Sequence, residues 1–135
     1  MTAARNGPRI RHTMLRVADL DGSVDFYTRL LGMRVMRRRE NPKEKVAYVG
    51  YGEESAGHAL ELIQETAPAA APAMGNRYGH VALYLPDIRA TSAALKAAGV
   101  PFTMEPGRLR PDNPNLFAFV TDPDGYEIEL TEVGG

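Results

Sequence analysis

Four side chains in this sequence have the types and spacing of a metal site. His12 and His80 lie 68 residues apart, as do Glu61 and Glu129, so each His precedes its Glu by 49 residues. Neutral imidazole and carboxylate suit a borderline divalent cation, and a set of two His and two Glu leaves room in an octahedron for two water or substrate oxygens. The chemistry that fits is Lewis-acid catalysis with a carboxylate base at the metal. Taken singly, a strand histidine is more often a hydrogen-bonded structural residue, and a Glu between leucines is more often a solvated outer-face residue. Four such residues tied by one repeat are a different observation.

The elements that must carry them repeat too. The stretch His12-Thr13-Met14-Leu15-Arg16-Val17-Ala18-Asp19-Leu20 matches His80-Val81-Ala82-Leu83-Tyr84-Leu85-Pro86-Asp87-Ile88 in His, Leu, an aliphatic, Asp and a second aliphatic, and Leu60-Glu61-Leu62 matches Ile128-Glu129-Leu130. Residues 11–18 alternate like a strand, and Asp19 and Asp21 are N-cap candidates for the helix that follows. Val24, Tyr27, Leu30 and Leu31 form its apolar stripe, with Gly32 as a left-handed stop. Asp87 likewise caps a helix that carries Ile88, Leu95 and Ala98 on one face and ends at Gly99. Three strands follow each helix, near 33–39, 45–51 and 58–65, then near 101–105, 115–120 and 126–132. The expected fold class is α+β: two tandem βαβββ modules forming a cupped mixed sheet with helices on its outer face. The expected divisions are a flexible arm at 1–9, modules at 10–66 and 78–135, and an Ala/Pro linker at 67–77.

Strand periodicity then selects the converging atoms. His12, Met14 and Arg16 share one face of the first strand, and Glu61, Ile63 and Glu65 share one face of the fourth. Leu15, Val17, Leu60 and Leu62 belong under the helix, which sends His12 and Glu61 to the opposite side. The same reasoning sends His80 and Glu129 away from Leu83, Leu85, Ile128 and Leu130. One internal pseudo-twofold relation would bring all four together. His58 has no counterpart in the second half and reads as a surface residue.

Composition narrows the alternatives. With 135 residues the chain is one core, or two small halves sharing one. Sixteen Lys and Arg against seventeen Asp and Glu leave a net charge of -1, with no broad cationic field for nucleic acid or an anionic membrane. The absence of cysteine excludes disulfides, a thiolate nucleophile and zinc-thiolate sites, so any metal falls to His, Asp or Glu. No apolar run approaches the roughly 20 residues of a spanning helix, and residues 1–9 lack a secretory apolar region. A cytoplasmic protein with a small-molecule partner is expected.

The motifs HTMLRV (12–17), Ser23-Val24-Asp25-Phe26-Tyr27 ending in LLGM (30–33), YGHVAL (78–83) and DPDGYEIEL (122–130) resemble the bacterial glyoxalase I family of the vicinal oxygen chelate superfamily. The resemblance runs over nearly all of residues 11–132. Carried over by position, it makes His12, Glu61, His80 and Glu129 the metal ligands. It implies isomerisation of the methylglyoxal-glutathione hemithioacetal to S-lactoylglutathione, with the metal holding both oxygens of an enediolate. Glu129 would move the proton, with Glu61 as a second acid/base. It also implies Ni2+ or Co2+, with Zn2+ as the alternative, and a homodimer whose sites take His12 and Glu61 from one chain and His80 and Glu129 from the other. The residues alone leave an intrachain arrangement equally open.

Substrate contacts are read from charge. Arg16, about 13 Å along the strand from His12, matches a family arginine that meets a glutathione carboxylate, and Arg108 and Arg110 lie in a loop where the family places a basic residue. Glu65 stands where the family commonly has an asparagine, so an acceptor-only carboxylate replaces an amide. It is expected to pair with Arg16, to bind the glutathione amino group, or to repel a glutathione carboxylate. The run Arg37-Arg38-Arg39 reads as a solvated strand edge. The competing readings are an acyl-thioester epimerase, an isomerase using a different thiol, and a non-catalytic binding module like the bleomycin-sequestering proteins. Extradiol dioxygenases and fosfomycin-modifying relatives use two His and one Glu, so Glu61 counts against them.

Overall fold

Each apolar alternation in the chain has found a partner strand. The computed structural model describes residues 7–67, 73–108, 111, 112 and 114–132, and the chain divides into two units, Met1–Pro72 and Ala73–Gly135. In the first, β1 (His12–Arg16) is followed by α1 (Leu20–Asp25), which runs on as a π-helical turn (Phe26–Leu30), then by β2 (Arg34–Asn41), β3 (Glu44–Gly50) and β4 (Ala59–Glu65). In the second the order is β5 (Val81–Leu85), α2 (Ile88–Ala97), β6 (Phe102–Gly107), β7 (Phe117–Thr121) and β8 (Glu127–Glu132).

Each unit holds one four-stranded mixed sheet, in the orders β1-β4-β3-β2 and β5-β8-β7-β6. In both, the first strand runs parallel to the last and the other neighbours are antiparallel. The βαβββ plan is therefore present twice, with one sheet per unit. The register repeats as well: Met14 pairs with Glu61, and Ala82 with Glu129. Of the expected arm and linker, residues 1–6 and 68–72 lie outside the described residues.

Burial sets that register. Leu15, Val17, Leu60 and Leu62 are buried, as are Leu83, Leu85, Ile128 and Leu130. Each such side chain contributes about 1.5–3 kcal/mol relative to exposure, so a one-residue slip that turned Leu60 and Leu62 outward would forfeit several kcal/mol. Glu61 is thereby thrown to the other face, beside a small cluster of Val46, Tyr48 and Ala59 flanked by Met36 and Ile63.

The helices depart from expectation in detail. Gly32 and Gly99 end them at φ 76 and φ 80, the left-handed region where a Cβ is unfavourable. In α1 and its π-helical turn, Phe26 and Tyr27 are both buried while Leu30 is half-buried, because the wider turn rotates the stripe. Ala98 is exposed rather than core, since α2 ends one residue earlier and Ser92 takes the buried place beside Ile88 and Leu95. Asp87 accepts from the Ala90 amide at 3.0 Å, as an N-cap should. Asp19 makes no such bond; the Leu20 amide instead donates to Gln64 Oε1 at 2.7 Å. Glu132 does the same for Ile88 at 3.0 Å. Among the described residues no helix is long and apolar enough to cross a membrane.

Candidate metal centre

The first unit brings His12 and Glu61 together, with Nε2 and Oε1 3.2 Å apart. Glu61 is only 7% exposed, and a buried carboxylate needs donors. Tyr48, its cross-strand partner on β3, donates to Oε2 at 2.5 Å, and Arg39 Nη2 donates to the same oxygen at 3.1 Å. Burial pushes the Glu61 carboxyl up, but the hydrogen bonds from Tyr48 and Arg39 and the nearby charges of His12 and Arg39 outweigh it, so the group is held below its ordinary value. The Tyr48 ring lies edge-on to His12 at 5.5 Å, and the Arg37 guanidinium sits 4.0 Å over that ring. Arg37 also grips Glu54 through two hydrogen bonds of 3.0 Å.

The second unit brings His80 and Glu129 together, with Nε2 and Oε1 2.8 Å apart. Phe119 is the cross-strand partner of Glu129 and lies edge-on to His80 at 5.4 Å. A cleft of about 250 Å³ opens beside Glu129, walled by Ala82, Tyr84 and Phe117. Tyr84 is 74% exposed there, an aromatic wall without a cover among the described residues.

Both pairs fit a divalent ion. Donors bound at about 2.1 Å on adjacent octahedral positions lie about 3 Å apart, and the two observed separations bracket that value. His12 Nδ1 is buried without a hydrogen-bond partner among the described residues, leaving Nε2 as the ring atom turned to Glu61. The four candidate ligands are thus assembled as two pairs, and no group of three or more His, Cys, Asp or Glu that could hold an ion is found among the described residues.

The family model of the Glyoxalase/Bleomycin resistance protein/Dioxygenase superfamily matches residues 9–130. The chain belongs to that superfamily. It is 48% identical to a probable lactoylglutathione lyase of Vibrio cholerae over 126 residues, covering 92% of this chain and 90% of the relative. It is 42% identical to the lactoylglutathione lyase of Salmonella typhimurium, with 92% of each chain covered. Among solved structures, the trypanothione-dependent glyoxalase I of Leishmania major superposes with a TM-score of 0.81 at 37% identity, over 93% of this chain and 87% of that one.

On this glyoxalase scaffold the other expected residues fare differently. Arg16 Nε donates to Glu65 Oε1 at 3.1 Å, the pairing that shared-face periodicity allowed, and both side chains are largely exposed. Arg108 is exposed just past β6, and Arg110 lies outside the described residues. His58 is exposed and bonded to Thr13 Oγ1 at 2.8 Å. The solvated-edge reading of Arg37-Arg38-Arg39 holds for the strand, since β2 is the sheet edge and Arg38 and Arg39 are exposed, but it misses the carboxylates that Arg37 and Arg39 hold. A bulge between Val35 and Arg37 sets Arg37 opposite Tyr48, which turns Arg37 and Arg39 toward the Glu61 face and leaves Arg38 on the other. Tyr48 and Phe119 carry no signal of their own in the sequence, although period-two alternation on β3 and β7 is what places each ring beside its histidine.

Proposed function

We propose that this chain is a metal-dependent lactoylglutathione lyase that isomerises the methylglyoxal-glutathione hemithioacetal to S-lactoylglutathione. The observation that carries the reading is the pair of matched His-Glu sets, one with its carboxylate tied by donors and one opening onto a cleft. His12, Glu61, His80 and Glu129 would hold the ion, Ni2+ or Co2+ in preference to Zn2+. Bound there, it supplies Lewis-acid stabilisation of negative charge developing on the substrate oxygens. Glu129, beside the cleft, takes the proton from the carbon next to sulfur and returns it to the neighbouring carbon. Glu61, with Oε2 occupied by two donors, is the poorer base and serves as a ligand. The cleft wall of Tyr84 and Phe117 offers an apolar surface against which the reacting carbons would lie. The working form is a homodimer in the cytoplasm, with His12 and Glu61 of one chain meeting His80 and Glu129 of its partner.

A second reading, isomerisation of a hemithioacetal formed with another thiol, is favoured by Glu65, which partly neutralises the Arg16 that a glutathione carboxylate would meet. One assay addresses both: ultraviolet detection of thioester formation from methylglyoxal with glutathione or an alternative thiol, across a series of divalent ions. Activity with glutathione in Ni2+ or Co2+ is expected, and Glu129→Gln should lower kcat about 10²–10⁴-fold. No thioester from either thiol with any ion would refute the lyase assignment.

A further inference from the structure

The two histidine-glutamate pairs share a strand register but not their neighbours. Tyr48 stands across from Glu61, and Phe119 stands across from Glu129. Each ring meets its histidine edge-on at nearly the same spacing, 5.5 and 5.4 Å. One strand further out, Arg37 faces Tyr48 while Met104 faces Phe119. The first unit therefore sets a hydroxyl and one guanidinium on its glutamate, where the second has a phenylalanine across from it and a methionine one strand further out.

The donors in the first unit form a closed set. Tyr48 and Arg39 both donate to Glu61 Oε2, at 2.5 and 3.1 Å, and Arg39 Nε donates to the Tyr48 hydroxyl at 3.3 Å. Arg39 is itself braced by Glu44, to which Nη1 donates at 3.0 Å. Only Oε1 is left turned toward His12 Nε2. We propose that Tyr48 and Arg39 are positioning residues that lock Glu61 into a one-oxygen presentation and so make it a fixed ligand, while Phe119 leaves Glu129 free to turn between metal and substrate. The inference rests on the metal-dependent lyase reading above. Its physical basis is that donors already in place need no reordering when a ligand atom is required, and that partners of a ligating carboxylate tune its orientation.

The test is calorimetric titration of the full-length chain with Co2+ alone, for wild type, Tyr48→Phe, Arg39→Met, Phe119→Tyr and Glu61→Gln, with thermal melting of each metal-free protein as the fold control. Loss of a group that orients a ligand costs about 10–100-fold in metal affinity, and that range is expected for Tyr48→Phe and Arg39→Met, each of which also removes a donor from a buried carboxylate and so should melt several degrees lower while still unfolding cooperatively. Arg39 lies on the edge strand β2 and meets Tyr48 at its hydroxyl, so Arg39→Met leaves the ring itself in place and stands in should Tyr48→Phe fail to fold. Phe119→Tyr, which places a hydroxyl beside Glu129, is expected to keep Co2+ affinity and to lower kcat more than it changes KM. Wild-type Co2+ affinity in both Tyr48→Phe and Arg39→Met, with Glu61→Gln weakened, overturns the proposal alone. Wild-type affinity in Glu61→Gln overturns the metal-site reading and this proposal together. A Phe119→Tyr enzyme with unchanged kcat removes the part concerning Glu129.

Discussion

Replacing Glu132 tests how each helix is fastened to the strand that carries its candidate ligand. Glu132 Oε1, on β8 three residues after Glu129, accepts the first amide of α2 at 3.0 Å, and Gln64 Oε1, on β4 three residues after Glu61, accepts the first amide of α1 at 2.7 Å. A hydrogen bond to a charged acceptor contributes about 1.5–3 kcal/mol, and a carboxylate at a helix N-terminus adds about 0.3–1 kcal/mol. Ile88 is buried but Glu132 is half-exposed, so water can enter where the carboxylate stood and replace part of what is lost. The net cost of Glu132→Ala should therefore be about 1–2 kcal/mol, the range of a lost N-cap. With an unfolding entropy of about 2.1 cal/mol/K per residue, that lowers the melting temperature by about 3–7 °C. Glu132→Gln keeps the acceptor and loses only the charge, so it should cost about half as much, and that part should fade in high salt. Gln64→Glu adds a charge at the start of α1 and should stabilise by about 0.3–1 kcal/mol. The assay is denaturant unfolding of the four proteins together with hydrogen exchange at the Leu20 and Ile88 amides. Unchanged protection of the Ile88 amide in Glu132→Ala, or equal losses for Glu132→Ala and Glu132→Gln, would refute the argument.

Glu65→Gln should barely move stability, because an exposed ion pair contributes about 0–1 kcal/mol. It should nevertheless lower KM for the glutathione hemithioacetal several-fold by removing the negative charge that competes with a substrate carboxylate for Arg16, whereas Arg16→Met should raise KM with kcat much less affected; steady-state kinetics on the pair decides. Burial first, and then the negative charge of Asp122, pushes Tyr78 up to about 12, and its hydroxyl donates to the Glu127 carbonyl at 2.9 Å. A raised folded pKa means that this stabilisation is complete below pH 10 and is lost as pH rises toward 12. The difference in melting temperature between wild type and Tyr78→Phe should shrink across that window, and a constant difference would contradict the assignment.

What could be read from the sequence was whatever obeyed a constant offset. The two His, the two Glu, the core leucines and the helix-stopping glycines all follow from period-two alternation, helical stripes or the 68-residue repeat. The offset fails between helix and last strand, where bulges and turns differ between the units. Tyr48 and Phe119 occupy the same cross-strand place yet stand 71 residues apart, so a fixed offset aligns Tyr48 with Leu116 instead. The Arg37-Arg38-Arg39 run is a sheet edge as it looks, but nothing in a run of three arginines announces the bulge that turns two of them to the Glu61 face. Gln64 and Glu132 do obey the offset, and a polar residue on the face of Leu60 and Leu62 was a usable signal, but an amide and a carboxylate do not look alike until both are seen holding a helix amide. A duplicated fold, with one strand order and the same pairing around each His-Glu pair, gives both pairs the same backbone setting and so cannot by itself make two glutamates differ. The difference must come from side chains outside the repeat. Here it comes to a tyrosine hydroxyl and a guanidinium on one side, against a phenyl ring and a methionine on the other. A protein that needs one fixed carboxylate and one mobile one is therefore expected to vary at these flanking positions first, while its four candidate ligands stay where the repeat put them.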